Sequence, residues 1–107
     1  MSKKPNISSS LRISDIINNN KFKMTEQYFL VLDKYKKKYG DKVILIWQCG
    51  DFMEVYGLKN KETGELDNSN IVDFSRICNM NIAWKKSSVW GLELHEAGWP
   101  IKNHYDK

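Results

Sequence analysis

The stretch that decides the fold is VILIWQCGDFMEVYG, residues 43–57. Its first five residues, Val43 to Trp47, are all apolar and rich in β-branched side chains, which is typical of a buried strand. Gly50 and Asp51 form a turn signal. Residues Phe52 to Tyr56 then read as a second strand. The stretch therefore predicts a strand, a tight turn and a second strand.

The second predicted strand carries an aromatic residue and an acid on the same side. Phe52 and Glu54 stand two residues apart and share one face, while Met53 and Val55 share the other. If Phe52 points into the core, Glu54 is drawn in beside it at a substantial desolvation cost. If both point outward, an exposed aromatic side chain needs a reason. The spacing alone leaves both arrangements open.

Two helices are predicted on either side of this stretch. Residues Met24 to Tyr39 repeat apolar side chains at three- and four-residue spacing, and Gly40 suits the C-cap. Residues Asn70 to Cys78 carry an apolar stripe behind a capping Asn68 or Ser69. Both segments are therefore predicted to pack one face against the strands.

The remaining segments complete an alternating order of elements. Strands are predicted over residues 80–86 and 89–94, followed by a turn at AGWP, residues 97–100. The order α-β-β-α-β-β predicts an α/β sandwich with a mixed sheet. Residues 1–21 are predicted to form a flexible polar arm, and residues 22–107 the folded domain.

Size and composition limit the chain to one domain. It has 107 residues, of which 41% are hydrophobic, which suits a globular fold with a modest core. Residues 1–42 carry ten Lys and Arg against four acids, whereas residues 43–82 carry three against six. The basic front half either attracts phosphate partners or is the solvated face of a helix.

The sequence predicts no membrane segment and no secretory signal. No apolar run approaches the roughly 18–20 residues of a membrane span, and the basic start has no hydrophobic stretch behind it. Cys49 and Cys78 lie far apart without a CxxC pair, which predicts free thiols in a reducing, intracellular compartment rather than a disulfide or a metal site.

Motifs of common enzymes do not occur in the sequence. There is no GxxxxGK[ST] phosphate loop, so ATP hydrolysis by this chain is not expected. His95 and Glu96 lack the second histidine of the HExxH zinc pattern, and His104 stands at the wrong spacing. Asp51 and Glu54 could pair as nuclease acids, but no lysine follows at ExK spacing. No catalytic residue and no metal ligand are therefore predicted.

Four segments resemble one family. GDFME at residues 50–54, directly after an apolar strand, resembles the GDFxE turn of the N-terminal mismatch-recognition domain of the MutS family of DNA mismatch repair proteins. MTEQY from Met24, IVDFSRICNMNIAWKK from Ile71 and EAGWP from Glu96 are similar to further family segments in the same order. The similarity spans Met24 to Lys107, although the family's Thr-Pro before the first helix is absent.

The resemblance implies a particular architecture. It implies a MutS domain I-like mixed β-sheet flanked by helices and truncated at the C-terminus, because family domains continue past AGxP into a closing helix and strand. It also implies that Gly50, Asp51, Gly98 and Pro100 support turns beside the binding site.

The resemblance also implies a function. In the family, the phenylalanine wedges into the duplex and stacks on a mispaired base, and the glutamate hydrogen-bonds that base. These roles correspond to Phe52 and Glu54. Lys85 and Lys86 match the family's basic pair, and they either hold phosphates or end a strand in solvent.

The implied partners are double-stranded DNA with mismatches or small loops, and a homodimer or clamp formed with the rest of a MutS-type protein. ATP and Mg²⁺ belong to the ATPase domain of the full-length family, so this chain is expected to need no cofactor and to be no enzyme. Two alternatives are a protein–protein interaction module that keeps the fold without reading DNA, and a small nuclease.

Overall fold

A computed structural model describes residues 4–5 and 11–101 of the chain. Residues 1–3 and 6–10 of the predicted N-terminal arm, and residues 102–107 with His104, lie outside the described residues. The elements are, in chain order, α1 (Ile13–Ile17), α2 (Met24–Tyr39), β1 (Trp47–Cys49), β2 (Phe52–Leu58), α3 (Ile71–Cys78), β3 (Ala83–Val89) and β4 (Leu92–Pro100).

Both predicted helices are confirmed. Helix α2 has the predicted bounds and ends at Gly40, whose φ of 97° is a conformation that favours glycine. Helix α3 begins one residue after the predicted start. The short α1 was not predicted, and it lies in the segment assigned to the flexible arm. Its Ile16 is fully buried with Leu30 and Val31, so this part of the arm belongs to the folded domain.

The four strands form one antiparallel sheet in the order β1-β2-β4-β3. Every neighbouring pair runs antiparallel, so the prediction of a mixed sheet is wrong, while the α/β class is confirmed. The physical reason is the connectivity, since β1 joins β2 and β3 joins β4 through tight hairpins that cannot connect parallel strands. Strands β2 and β4 are central and carry most of the core.

The two faces of the sheet are covered by different helices. On the α2 face, Tyr56, Leu58 and Leu94 pack with Tyr28 and Leu32 of the helix. Each fully buried side chain of this size contributes about 1.5–3 kcal/mol of transfer free energy. The α3 face has a smaller cluster, whose buried members are Val55, Ile71, Phe74 and Ala97. The result is a sheet held between two helices.

The predicted buried strand over residues 43–47 is largely wrong. Pairing with β2 begins only at Trp47, and Ile44 and Ile46 are 39% and 42% exposed. In the β1–β2 register, Leu45 is the next partner of Tyr56, but the Tyr28 hydroxyl lies between them. It accepts a hydrogen bond from the Tyr56 N–H at 3.2 Å and donates one to the Leu45 carbonyl at 2.6 Å.

Side chains of residues 68–70 bond much of the remaining backbone at this gap. These side-chain hydrogen bonds take the place of the strand-to-strand hydrogen bonds that the apolar run predicts. The polar side chains contact the main chain of β2 on one side of the gap and the main chain of residue 43 on the other. The bonds are Leu58 N–H to Asn68 Oδ1 (2.7 Å), Ser69 Oγ to the Tyr56 carbonyl (2.7 Å) and Asn70 Nδ2 to the Val43 carbonyl (2.8 Å).

The second hairpin also differs from prediction. Val89 pairs with Leu92, so the strand predicted over residues 89–94 is interrupted by a turn at Trp90 and Gly91. Both turn residues have positive φ, 51° and 80°, which matches a type I′ turn. A bulky tryptophan rarely adopts this conformation, so the local sequence contains no clear turn signal at Trp90.

Strand β4 continues through the predicted AGWP turn. Gly98 lies opposite Glu54 and Pro100 opposite Phe52, in register with β2. The turn predicted at Gly98 and Pro100 is therefore wrong, because both residues pair with β2. A proline at the end of a strand removes few ladder hydrogen bonds, and Gly98 makes room for the Glu54 side chain.

Gly57→Ala should destabilise the fold. A Cβ at this position would lie 2.6 Å from Ile71 Cγ2 and 3.2 Å from Ser69 Oγ, so α3 would have to move away from β2. We expect a loss of about 1–3 kcal/mol in the free energy of unfolding, measured by urea titration. In an Ile71→Ala background the same change should cost less, because the clashing methyl is gone. Additive costs would show that the close approach is not the cause.

Candidate functional site

The exposed end of the sheet is formed by the β1–β2 hairpin. Cys49 pairs with Phe52, which leaves Gly50 and Asp51 as a two-residue turn at the place where the sequence predicts a turn. Gly50 has a φ of 60°, whereas the φ of Asp51 is not positive. This combination fits a type II′ turn. The hairpin therefore ends tightly, directly in front of Phe52.

Phe52 is fixed through its backbone while its side chain lies in solvent. It is the first residue of β2 and pairs with Cys49 on one side and Pro100 on the other. The side chain is 49% exposed, whereas Tyr56 and Leu58 on the same face are buried. An exposed aromatic on a central strand is unusual, because such a residue normally contributes to the core.

Glu54 lies on the same face but is buried, with only 6% of its surface exposed. The Tyr56 hydroxyl donates a short hydrogen bond to Glu54 Oε1. The Lys85 Nζ lies 3.2 Å from Glu54 Oε2. Both carboxylate oxygens therefore have partners within the chain. Such partners are required, since an unpaired buried carboxylate is strongly disfavoured.

Gly98 makes room for this carboxylate. It lies directly opposite Glu54 on β4, and a Cβ there would lie 3.1 Å from the Met53 carbonyl oxygen and 3.2 Å from Glu54 Cγ. A larger residue would push the Glu54 side chain out of its position. The glycine that the sequence placed in a turn thus has a packing role beside Glu54.

Lys85 reaches Glu54 from the edge strand β3. The pairing of β3 with β4 is interrupted between Trp84 and Ser88 by a bulge, within which Lys86 has a φ of 56°. The Lys85 ammonium extends over β4 and lies 3.0 Å from Glu96 Oε2 as well as 3.2 Å from Glu54. Lys86 is exposed and forms no ion pair with the described residues.

The two carboxyl groups around Lys85 have opposite pKa shifts. Burial opposes ionisation of Glu54, but hydrogen bonds from Glu96, Tyr56 and Lys85 outweigh it and lower the pKa of Glu54. Burial and the neighbouring Glu54 carboxylate raise the pKa of Glu96, and Lys85 offsets only part of this. Glu54 is therefore the more acidic of the two carboxyl groups, because it alone receives the Tyr56 hydroxyl in addition to Lys85.

We call Glu54, Tyr56, Lys85 and Glu96 the Glu54 cluster. The structure thus brings together three predicted site residues, Phe52, Glu54 and Lys85. Glu96 was not predicted, because its proximity depends on the β2–β4 register that places it opposite Tyr56. Tyr56 shares the face of Glu54 by strand alternation, which was the available signal for its role.

The basic end of α2 lies far from Phe52. Lys36 donates to the Asn68 carbonyl, and the Asn68 side chain bonds the Leu58 N–H, so the C-terminal end of α2 lies beside the far end of β2. At about 3.3 Å per residue, the seven-residue β2 places Phe52 roughly 20 Å from this end. The lysines of the last α2 turn therefore do not surround Phe52.

Other predicted features can be located within the described residues. Cys49 is half-buried and Cys78 exposed, and both are free thiols. The described residues contain no group of three His, Cys, Asp or Glu side chains arranged to hold a metal ion. Among these residues, no helix has both the length and the apolar character that crossing a membrane requires.

Substituting the two carboxylates should change stability in opposite directions. The lowered pKa of Glu54 contributes stability above the usual glutamate pKa, and this is lost as the pH falls through the folded-state pKa. The raised pKa of Glu96 contributes stability at low pH that is lost as the pH rises through its folded-state value.

At pH 7, Glu54→Gln should therefore cost about 1–3 kcal/mol, the range for hydrogen bonds to charged groups, whereas Glu96→Gln should be neutral or stabilising. Urea titrations at a series of pH values between 3 and 7, on the order of one unit apart, measure both effects relative to the parent. A larger loss for Glu96→Gln than for Glu54→Gln at pH 7 would show that Glu96, and not Glu54, is the more acidic of the two carboxyl groups.

Comparison with known proteins adds no family. No protein-family model matches the chain, and the searches of curated proteins and of solved structures found no match to it. The resemblance to the MutS family therefore rests on the sequence motifs alone.

Proposed function

We propose that this domain binds double-stranded DNA at mispaired or unpaired bases, with Phe52 as the side chain that enters the base stack. The observation that carries the proposal is the exposure of Phe52, 49%, on a backbone held between two strands. The GDFxE resemblance supplies the class of ligand, and the position of Phe52 beside the tight turn at Gly50 leaves its ring accessible to a duplex.

A wedge at this position makes physical sense. Inserting an apolar side chain between base pairs costs about a few kcal/mol of unstacking per step. A mismatch has already lost part of its pairing energy, so insertion there costs less. Stacking on an aromatic ring returns roughly 1–3 kcal/mol and tolerates any base. Because Phe52 is already half-exposed, its use does not require the core to open.

Glu54 stands close enough to contribute to the same contact. It lies two residues behind Phe52 on the same face, which is about 6.6–6.8 Å along a strand. A base stacked on Phe52 would therefore bring one edge toward the Glu54 cluster. A carboxylate repels phosphates, so Glu54 would disfavour ordinary duplex and help only where a displaced base offers a hydrogen-bond partner.

Binding by this chain alone should be weak. Of the two lysines predicted to contact phosphates, Lys85 pairs with Glu54 and Glu96, and Lys86 is exposed in the β3 bulge, two strands away from β2. With so few phosphate contacts, affinity should lie near the non-specific range of roughly 10⁻⁴–10⁻⁶ M. In this proposal, the domain selects the site, and most affinity comes from other chains or segments, such as the second half of a clamp.

A protein–protein interaction module is the second candidate. Ile44 and Ile46 are 39% and 42% exposed next to the edge strand β1, and an unpaired edge with apolar side chains favours association with another chain. Sedimentation velocity with and without duplex separates this reading from DNA binding.

The nuclease alternative is tested by incubating supercoiled plasmid with the chain and Mg²⁺, because cleavage would identify it.

Phe52→Ala should remove the preference for mismatched DNA and leave folding nearly intact. A fully buried phenylalanine costs about 3–5 kcal/mol when replaced by alanine, and the half-exposed Phe52 should cost clearly less. Fluorescence anisotropy with matched and mismatched duplexes of the same length, at one low salt concentration, measures the preference. Urea titration of the same variant measures stability.

Trp84→Ala is the matched control for this experiment. Trp84 is 53% exposed, close to the exposure of Phe52, but it lies on β3 opposite His95 and therefore on the α3 face. It should leave the mismatch preference unchanged. Equal loss of preference in both variants would mean that any exposed aromatic contributes. A loss of 3 kcal/mol or more in Phe52→Ala, about the value for a core phenylalanine, would refute the wedge.

Glu54→Ala should bind perfect duplex as well as the parent or better, because a charge that repels phosphate is removed. Its ratio of mismatched to matched binding should fall, since the partner of the displaced base is lost. Glu54→Gln keeps the volume and an acceptor for the Tyr56 hydroxyl, so it tests the charge separately. Equal weakening on both duplexes would make Glu54 a structural residue only.

A further inference from the structure

The Glu54 cluster contains more negative than positive groups. Glu54 and Glu96 share one ammonium, that of Lys85, at 3.2 Å and 3.0 Å. Besides its four members, the described titratable groups next to this cluster are Cys49 of β1 and Tyr28 of α2, so that every element packed against the cluster is included: Cys49, Glu54, Tyr56, Lys85, Glu96 and Tyr28. Lys85 is the one cation among them.

Lys85 is also the member of the cluster that is best placed to leave. Its side chain is 36% exposed, compared with 7% for Glu54 and 23% for Glu96. It belongs to the edge strand β3 and lies in a bulge, where it is not held by regular pairing. A phosphate near the sheet edge would therefore compete with the two carboxylates for its ammonium, as backbone phosphates commonly do for lysine.

We infer that Lys85 exchanges between the carboxylate pair and a nucleic-acid phosphate, and that Glu54 and Glu96 then hold one proton between them. The phosphate in this inference rests on the proposed function, whereas the pairing of the carboxylates is a property of the chain itself. The proton comes from solvent, Lys85 stays protonated, and no covalent bond changes. Glu96 thereby becomes part of the binding site.

The physical reason is the repulsion between two neighbouring carboxylates. Without a cation between them, both cannot stay ionised in a partly buried place, and the pair titrates as a unit with one proton strongly held. The proton-sharing pair can also donate a hydrogen bond, which an ionised Glu54 cannot. Departure of Lys85 would thus convert Glu54 from an acceptor into a group that can donate to a purine nitrogen.

The first experiment needs no DNA. In Lys85→Gln the cation is absent, and NMR titration of the glutamate side-chain carboxyl carbons should show one member of the pair with its midpoint moved upward. Lys85→Arg keeps the charge, so its midpoints should stay with those of the parent. Adding Glu96→Gln to Lys85→Gln should lower the raised midpoint again. Unchanged midpoints in folded Lys85→Gln would overturn the inference.

The second experiment counts protons during binding. Calorimetry with a mismatched duplex at neutral pH, in two buffers of different ionisation enthalpy, should give an uptake of up to one proton per complex for the parent and a smaller uptake for Glu96→Gln. Glu93→Gln is the control, because Glu93 is an exposed carboxylate of the same strand that contacts Lys59 and His95 instead. Its proton uptake should equal that of the parent.

The outcomes separate the inference from the proposed function. Binding without proton uptake, or equal uptake by the parent and Glu96→Gln, overturns the exchange of Lys85 and leaves the proposed function standing. Absence of binding to both matched and mismatched duplexes overturns the proposed function and with it the exchange at a phosphate. The titration of Lys85→Gln then still decides whether Lys85 controls the carboxylate pair.

Discussion

The hydroxyl of Tyr28 is the contact on which the rest of the fold depends. It bridges the Tyr56 N–H and the Leu45 carbonyl where a ladder bond between the strands would otherwise form. Its ring packs edge-on against Phe29, Trp47 and Tyr56. Loss of a buried hydrogen-bond partner costs about 1–3 kcal/mol for each group left unpaired, so this single side chain fixes how deeply α2 sits on the sheet.

From Tyr28, a chain of contacts leads to the candidate site. The backbone of Tyr56 is held by Tyr28, and the hydroxyl of Tyr56 in turn donates to Glu54, whose second oxygen contacts Lys85. The position of the carboxylate is therefore linked to the packing of α2 on the same face of the sheet. A buried ion pair of this kind seldom stabilises a fold more than apolar residues of the same volume. Its position next to an exposed aromatic is consistent with the proposed binding role of Phe52 and Glu54.

The spacing of apolar residues predicted the elements whose conformation depends on neighbouring residues in the sequence. Helix α2 and the turn at Gly50 follow from the spacing of apolar residues and from glycine's freedom, and both are found where predicted. The segment before Trp47 was not predictable, because Tyr28 and residues 68–70 replace its ladder with side-chain bonds from distant parts of the chain. Gly98 resembled a turn residue because the sequence does not show that Glu54 lies opposite it.

The sequence posed a choice between two arrangements of Phe52 and Glu54, and the structure adopts neither. Strand alternation places both on one face, but it does not determine how far along the strand that face is covered. Phe52 lies between Cys49 and Pro100, which leave much of its ring exposed, while Glu54 lies beside Trp47 and is reached by Lys85. The buried part of this face of β2 therefore ends between Phe52 and Glu54. A strand that crosses this boundary can present a stiff aromatic to a ligand and keep a charged group protected one pleat behind it.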